Sequence, residues 1–214
     1  METKPYLKNP SGIMPGVSRL TSNGFTLVEI IVILAVISIL VAILTPTVLK
    51  YIDEARDDRA HEDVKNVSAM LNDLIRDTGQ YPGDLAGTNF ICGPGTIASA
   101  GSTGWAANSA ACTSGTGKTN NSLSNHLLVN DPSEDGTTDS TGDYRTTGKF
   151  KWKGPYVAST SEDPWGNAYE VNVSTLKGAN TSPTWVISAG PNGVLDTSTS
   201  ATTLSGDDVG VRIK

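Results

Sequence analysis

Side chains that carry chemistry are scarce in this sequence. Its 214 residues hold two cysteines and two histidines, which leaves almost no material for a zinc, haem or iron–sulfur site. His61 and His126 are the only imidazoles, and neither belongs to a Ser/His/Asp or Cys/His set, so an enzyme ranks last among the readings. Excess positive charge is lacking too. The 16 Lys and Arg against 22 Asp and Glu leave a net charge of −6, which excludes a nucleic-acid surface. Apolar residues reach only 37%, below the ~45–50% of ordinary globular chains. Gly (22) and Pro (11) are too few for a collagen-like chain and suit a loop-rich body. Gly115-Thr116-Gly117-Lys118-Thr119 imitates the end of a phosphate-binding loop. Cys112 stands where that pattern requires its first Gly, and no strand precedes it, so a nucleotide site is rejected.

What the chain does have is concentrated. Of the 25 residues 25–49, 19 are apolar, and from Ile30 to Leu44 only Ser38 interrupts the run. As a helix this segment spans roughly 37 Å, enough to cross a ~30 Å hydrocarbon core. A buried strand of that length would be far outside the usual range. Lys4, Lys8 and Arg19 precede it against a single Glu2, which predicts that the N-terminal side stays in the cytoplasm and the bulk crosses over. A cleaved secretory signal is disfavoured. The run closes on Leu44-Thr45-Pro46-Thr47-Val48 and continues as helix, without small residues at its end.

Glu29 is the one charge in the apolar segment, and a carboxylate at bilayer depth costs about 2.5–3.5 kcal/mol unless compensated. It closes the string Gly24-Phe25-Thr26-Leu27-Val28-Glu29 at the head of the apolar helix. This string resembles the processing site of type IV prepilins and type II secretion pseudopilins. The resemblance implies a leader, residues 1–24, cleaved between Gly24 and Phe25 by a membrane prepilin peptidase, and N-methylation of Phe25. In a filament, Glu29 is then expected to pair with the amino group of a neighbour's Phe25; the plainer alternative is a carboxylate that snorkels to the interface. Pro46 removes a helix hydrogen bond and favours a kink or local melting, as related filaments show on subunit packing. Loss of the leader removes three cations and one anion, leaving 13 against 21 and a net charge of −8.

Beyond Lys50 the pattern turns amphipathic. Ile52, Ala55, Ala60, Val64, Val67, Met70, Leu71, Leu74 and Ile75 recur at three- and four-residue steps, with mixed charges between them. Those charges read as a solvated face with i,i+4 pairs, or else as subunit contacts, and His61 as a solvated histidine. Gly79 is the expected stop, followed by a turn at Gln80-Tyr81-Pro82-Gly83.

Residues 80–214 form the expected head. Cys92 and Cys112 enclose 19 residues, and outside a bacterial inner membrane such a pair is expected to join, for about 3 kcal/mol in the chain-entropy model; two free thiols are the alternative. Lys153-Gly154-Pro155-Tyr156-Val157 and Glu162-Asp163-Pro164-Trp165-Gly166-Asn167-Ala168-Tyr169-Glu170-Val171 combine turn chemistry with an expected half-buried strand through Tyr169, Val171 and Val173. A second strand is expected at Trp185-Val186-Ile187, with Trp165, Tyr169 and Trp185 as an aromatic core. These blocks resemble the major pseudopilin of type II secretion more closely than adhesive pilins, over residues 24–81 and about 154–213. A Gly/Ser/Thr-rich insertion, residues 89–148, and a long leader depart from that pattern.

The late segment offers Asn192, Asp196, Asp207 and Asp208, hard oxygen donors of the kind calcium takes. Spacing alone favours a merely solvated acidic loop. The resemblance implies a structural calcium near Asn192 and Asp207 or Asp208, and Asp196 is added on chemistry alone.

The expectation is therefore an α+β pilin fold. It comprises a leader (1–24), a transmembrane and filament-core helix (25–49), an amphipathic helix (50–79) and a periplasmic head (80–214) with the insertion 89–148 and a β-sheet and acidic loop over 150–214. The resemblance implies a single-pass inner-membrane subunit whose homopolymer is a pseudopilus driving protein export. Its partners would be minor pseudopilins, the assembly platform with its ATPase, and the prepilin peptidase. A type IV pilin of a surface fibre, or a monomeric membrane-anchored binding module, are the alternatives.

Overall fold

The computed structural model describes residues 24–85, 89–101, 104–105, 112, 122–138, 141–176 and 181–214. Most of the expected leader and the Gly115–Thr119 string lie outside them. The chain divides into two units, Met1–Thr47 and Val48–Lys214.

Helix α1 (Leu27–Thr78, 52 residues) begins in the first unit. There every side chain from Leu27 to Thr47 is exposed, the apolar ones included. Two hydroxyls of this stretch are satisfied internally: Ser38 donates to the Leu34 carbonyl (2.7 Å) and Thr45 to that of Val41 (2.6 Å). That is what a polar side chain needs where water is absent. The helix runs through Pro46 without interruption, so the isolated subunit shows no melted turn there.

In the second unit α1 acquires two faces. Ala60, Val64, Ser68, Leu71, Leu74 and Thr78 are buried at steps of three and four, which lines them along one side. The buried stripe starts at Ala60, later than the periodicity suggests, because Ile52 and Ala55 are exposed on turns that nothing covers among the described residues. The other face carries Lys50–Glu54, Asp53–Arg56, Asp57–His61, Arg59–Asp63 and Asp73–Arg76 pairs, all solvated, so each contributes little. The helix ends as expected at Gly79, whose φ of +67° allows its N–H to reach the Ile75 carbonyl (2.8 Å).

Six short strands follow: β1 (Ile91–Cys92), β2 (Ser99–Ala100), β3 (Glu170–Val171), β4 (Trp185–Ser188), β5 (Val194–Leu195) and β6 (Val209–Arg212). β1, β3, β4 and β6 form one antiparallel sheet in that order, and β2 pairs with β5 in parallel. The register aligns Ile91, Val171, Val186 and Val211 across the sheet. That row joins Val64, Leu71, Leu74, Leu127 and Tyr144 in a core beneath α1. The opposite face presents Trp185 and Ile187 to a second core with Phe90, Ala98, Trp105, Ala189 and Leu195.

Three expectations change here. β3 is buried on both faces rather than half-buried, because both cores close on it, and Val173 opens a short 3₁₀ turn (Val173–Thr175) instead of extending the strand. The three aromatics do not share one core. Trp165 and Tyr169 pack on the helix side and Trp185 on the other, as alternate faces of a sheet require. The insertion is not only loop, since it supplies edge strand β1. Its apolar stretch Asn125–Val129 is a π-helical turn with His126 and Leu127 buried.

The Lys153-Gly154-Pro155-Tyr156 block latches the head to the end of α1. Lys153 Nζ lies 2.8 Å from Asp77 Oδ1, and the Tyr156 hydroxyl donates to Oδ2 (3.3 Å). Asp77 sits at the negative end of the helix dipole, where a carboxylate is unfavourable, so the ammonium offsets a local cost. Lys153 holds the Asp77 carboxyl below its ordinary value. A lowered carboxylate contributes stability above the ordinary range near 4 and loses it as pH falls through the lowered value. Lys153→Met is accordingly expected to lower the Tm of the detergent-solubilised chain by about 1–3 °C at pH 7. By thermal melts the difference disappears near pH 2.

Candidate functional site

Two places gather the residues singled out in the sequence. The first is the start of α1. Gly24 and Phe25 lie outside the helix and are exposed, Phe25 at 78%, so the bond between them is open to solvent. A Cβ at Gly24 would meet nothing within 4 Å, so this chain's own packing does not require a glycine there. Thr26 caps the helix. Its N–H and hydroxyl both donate to Glu29 Oε2 (2.8 and 2.9 Å), and the Glu29 N–H returns a bond to Thr26 Oγ1 (3.2 Å). This reciprocal arrangement is a capping box. It satisfies the Glu29 carboxylate within its own chain and sets it against the positive end of the helix dipole. The role of Thr26 was missed, although Thr-x-x-Glu before an apolar run is a readable capping signal.

The second place is the connection from β4 to β6, which carries β5 and the acidic residues. The structure links three of the four expected donors directly, through Asn192; Asp208 is held separately, by Thr197. Asn192 donates its N–H to Asp207 Oδ2 (3.1 Å) and its side-chain amide to Asp196 Oδ2 (3.3 Å). Asp208 Oδ2 accepts the Thr197 N–H (2.7 Å). Asp207 Oδ1 and Asp208 Oδ1 are buried without a hydrogen-bond partner. Burial, reinforced by the Asp196 carboxylate, pushes the Asp208 carboxyl above its ordinary value. Two glycines permit the approach. At Gly190 (φ +62°) a Cβ would run into the Asp207 carbonyl, and at Gly206 (φ +65°) into the Asp196 carboxylate. Asp207 and Asp208 also border an open groove of about 660 Å³ shared with Asp53, Asp57 and His61 on α1, which gives an ion access.

The turn under this loop is held by the Asp163–Asn167 block. Asp163 is buried; its Oδ1 accepts the N–H groups of Trp165 (2.9 Å) and Asn167 (2.7 Å), and its Oδ2 the Ser188 hydroxyl (2.5 Å). Asn167 in turn donates to the Gly190 carbonyl (3.1 Å). The sequence signals a turn at Asp163-Pro164, but not that its carboxylate reaches β4.

A second acidic group, Asp131, Asp135 and Asp143, was not singled out in the sequence; its carboxylate oxygens lie within 4.8 Å of one another. Asp131 accepts the Asp135 and Gly136 N–H groups, and Asp143 that of Ser133, so these are turn-forming carboxylates. The expected disulfide is present, joining Cys92 to Cys112. His61 is half-exposed beside Asp57 (3.7 Å), and buried His126 places Nδ1 2.7 Å from the Tyr144 hydroxyl.

Known proteins resemble this chain in two segments. Residues 19–45 match the prokaryotic N-terminal methylation motif, and residues 125–206 match type II secretion system protein G. The type II secretion system core protein G of Pseudomonas aeruginosa is 34% identical over 73 residues, which cover 34% of this chain and 51% of that protein. The chain thus spans about half the length of the curated relative it matches. No solved structure matches it. A methylation motif heading an apolar helix, with a small antiparallel sheet behind it, defines a prepilin-type protein. Within that class, the matched part of the head is similar to type II secretion system protein G.

Replacing Asp163 with Ala strands three donors around one buried site. It is expected to cost about 2–4 kcal/mol in chemical denaturation of the solubilised chain.

Proposed function

We propose that this chain is cleaved after Gly24, methylated on Phe25 and polymerised into a pseudopilus that drives protein export. The observation that carries this reading is a membrane-length helix, wholly exposed in the subunit, joined to a head of the matched secretion family. Apolar surface from Phe25 to Ile52 requires lipid before assembly and other copies after it. The head then lies on the periplasmic side of the inner membrane. The assembly platform with its ATPase and the minor pseudopilins are the partners. In the filament Glu29 exchanges its Thr26 cap for the amino group of a neighbour's Phe25, and Pro46, which lacks a helix donor, is where the helix gives way on packing. Native subunits should have the mass of residues 25–214 plus one methyl group, and Gly24→Ala should leave the precursor mass by intact-protein mass spectrometry. Deletion of the gene is expected to abolish exoprotein secretion; secretion unchanged with surface fibres lost would refute the reading.

The acidic loop fits a structural calcium. Its donors are all oxygens, and two carboxylate oxygens are buried without partners. Asn192, Asp196, Asp207 and Asp208 would hold the ion, and its charge would offset the repulsion among three carboxylates of one loop. Calcium at a hundredfold excess over its dissociation constant is expected to raise the Tm of the solubilised chain by about 5–10 °C. Asp208→Asn should raise the Tm in chelator and abolish the calcium increment. A melt insensitive to chelator would remove the site.

A further inference from the structure

The insertion does more than enlarge the head. We propose that its strand β2, Trp105 and the disulfide-bonded Cys112 act as a positioning arm for the acidic loop, with Trp105 as the positioning residue. The ligand in this inference rests on the calcium reading; the arm does not.

The arm grips the loop on both sides of Asp196. On the N-terminal side, β2 lies parallel to β5, with Ser99 opposite Val194 and Ala100 opposite Leu195. The Ser99 N–H donates to the Gly193 carbonyl (3.0 Å) and the Gly101 N–H to that of Leu195 (3.1 Å). On the C-terminal side, the Trp105 indole N–H donates to the Thr197 carbonyl (2.7 Å). Both residues are fully buried. Thr197 passes this constraint on: its N–H holds Asp208 Oδ2 (2.7 Å), and its hydroxyl accepts the Ser205 N–H (2.9 Å). Trp105 thereby acts on Asp208 through one residue without touching it.

Packing fixes the indole. Trp105 stands against Phe90 at 5.4 Å between ring centroids, in the core it shares with Ala98, Trp185, Ile187 and Leu195. Cys112 packs on the same core and ties the arm to Cys92 in β1. Gly101 allows close contact, because a Cβ there would strike Val194 and lie 3.3 Å from Asp196 Oδ1. A loop carrying three like charges opposes its own closure, and two-residue strands are too short to hold it alone. An external arm that prepays the ordering raises cation affinity without contributing a ligand.

The test uses the full chain in detergent, with terbium luminescence and calcium titration for affinity and amide exchange in chelator for loop order. Trp105→Phe retains a ring and removes the N–H. It is expected to weaken both cations about tenfold and to accelerate exchange at least tenfold at Thr197 and Ser205, with α1 and β4 amides unchanged. A role in packing alone would not move those two amides selectively. Reduction of the unaltered protein, which needs no substitution to fold, should have the same effects. Equal affinity and exchange in oxidised, reduced and Trp105→Phe protein would overturn the arm. If no form binds either cation, the calcium reading falls, and exchange at Thr197 and Ser205 still decides for or against the arm.

Discussion

The head depends on a sheet whose strands β1, β3 and β4 are buried on both faces. Ile91, Val171 and Val186 are fully buried on the side of α1, and Ile187 is fully buried on the other. A sheet with such short strands has little hydrogen-bonding surface of its own. It persists because layers cover it on both sides, the amphipathic half of α1 on one and the insertion with the acidic loop on the other. The low apolar content of the chain is thus spent in two small cores sharing one wall. A defect in either reaches the other through β3 and β4.

The same division separates two kinds of demand on one helix. From Ala60 onward α1 is satisfied inside the subunit. Before it, the apolar side chains are exposed, whereas polar groups are answered: Ser38 and Thr45 by the backbone, Glu29 by Thr26. Unmet apolar surface beside polar groups bonded within their own helix suits a segment whose partner is oil or another helix.

Much of this was legible in the sequence, and the exceptions have physical causes. The extent of α1, its Gly79 stop, the Cys92–Cys112 bridge and β4 follow from periodicity, turn chemistry and compartment, signals carried within a few residues. β1 was hidden in a Gly/Ser/Thr-rich stretch because two residues hold no period. Alternation through Tyr169, Val171 and Val173 misled, because burial on both faces removes the contrast that alternation encodes. The four acidic-loop donors were readable as chemistry. Their support was not, since Asp163, Thr197 and Trp105 act across 25, 11 and 92 residues of chain. Thr26 needed no distant information and was obscured by the conspicuous charge beside it.

The register of β1 sets an order of events. Ile91 pairs with Val171, and Val171 with Val186, so the first strand has only a single bridge, Cys92 to Ser122, until most of the chain has been made. Cys92, within that strand, meets its disulfide partner only 20 residues on. Closing a short loop precedes closing a long one. The arm can therefore be fastened while the wall it leans on is still missing, and the carboxylates, which come last, arrive at a cradle already half assembled.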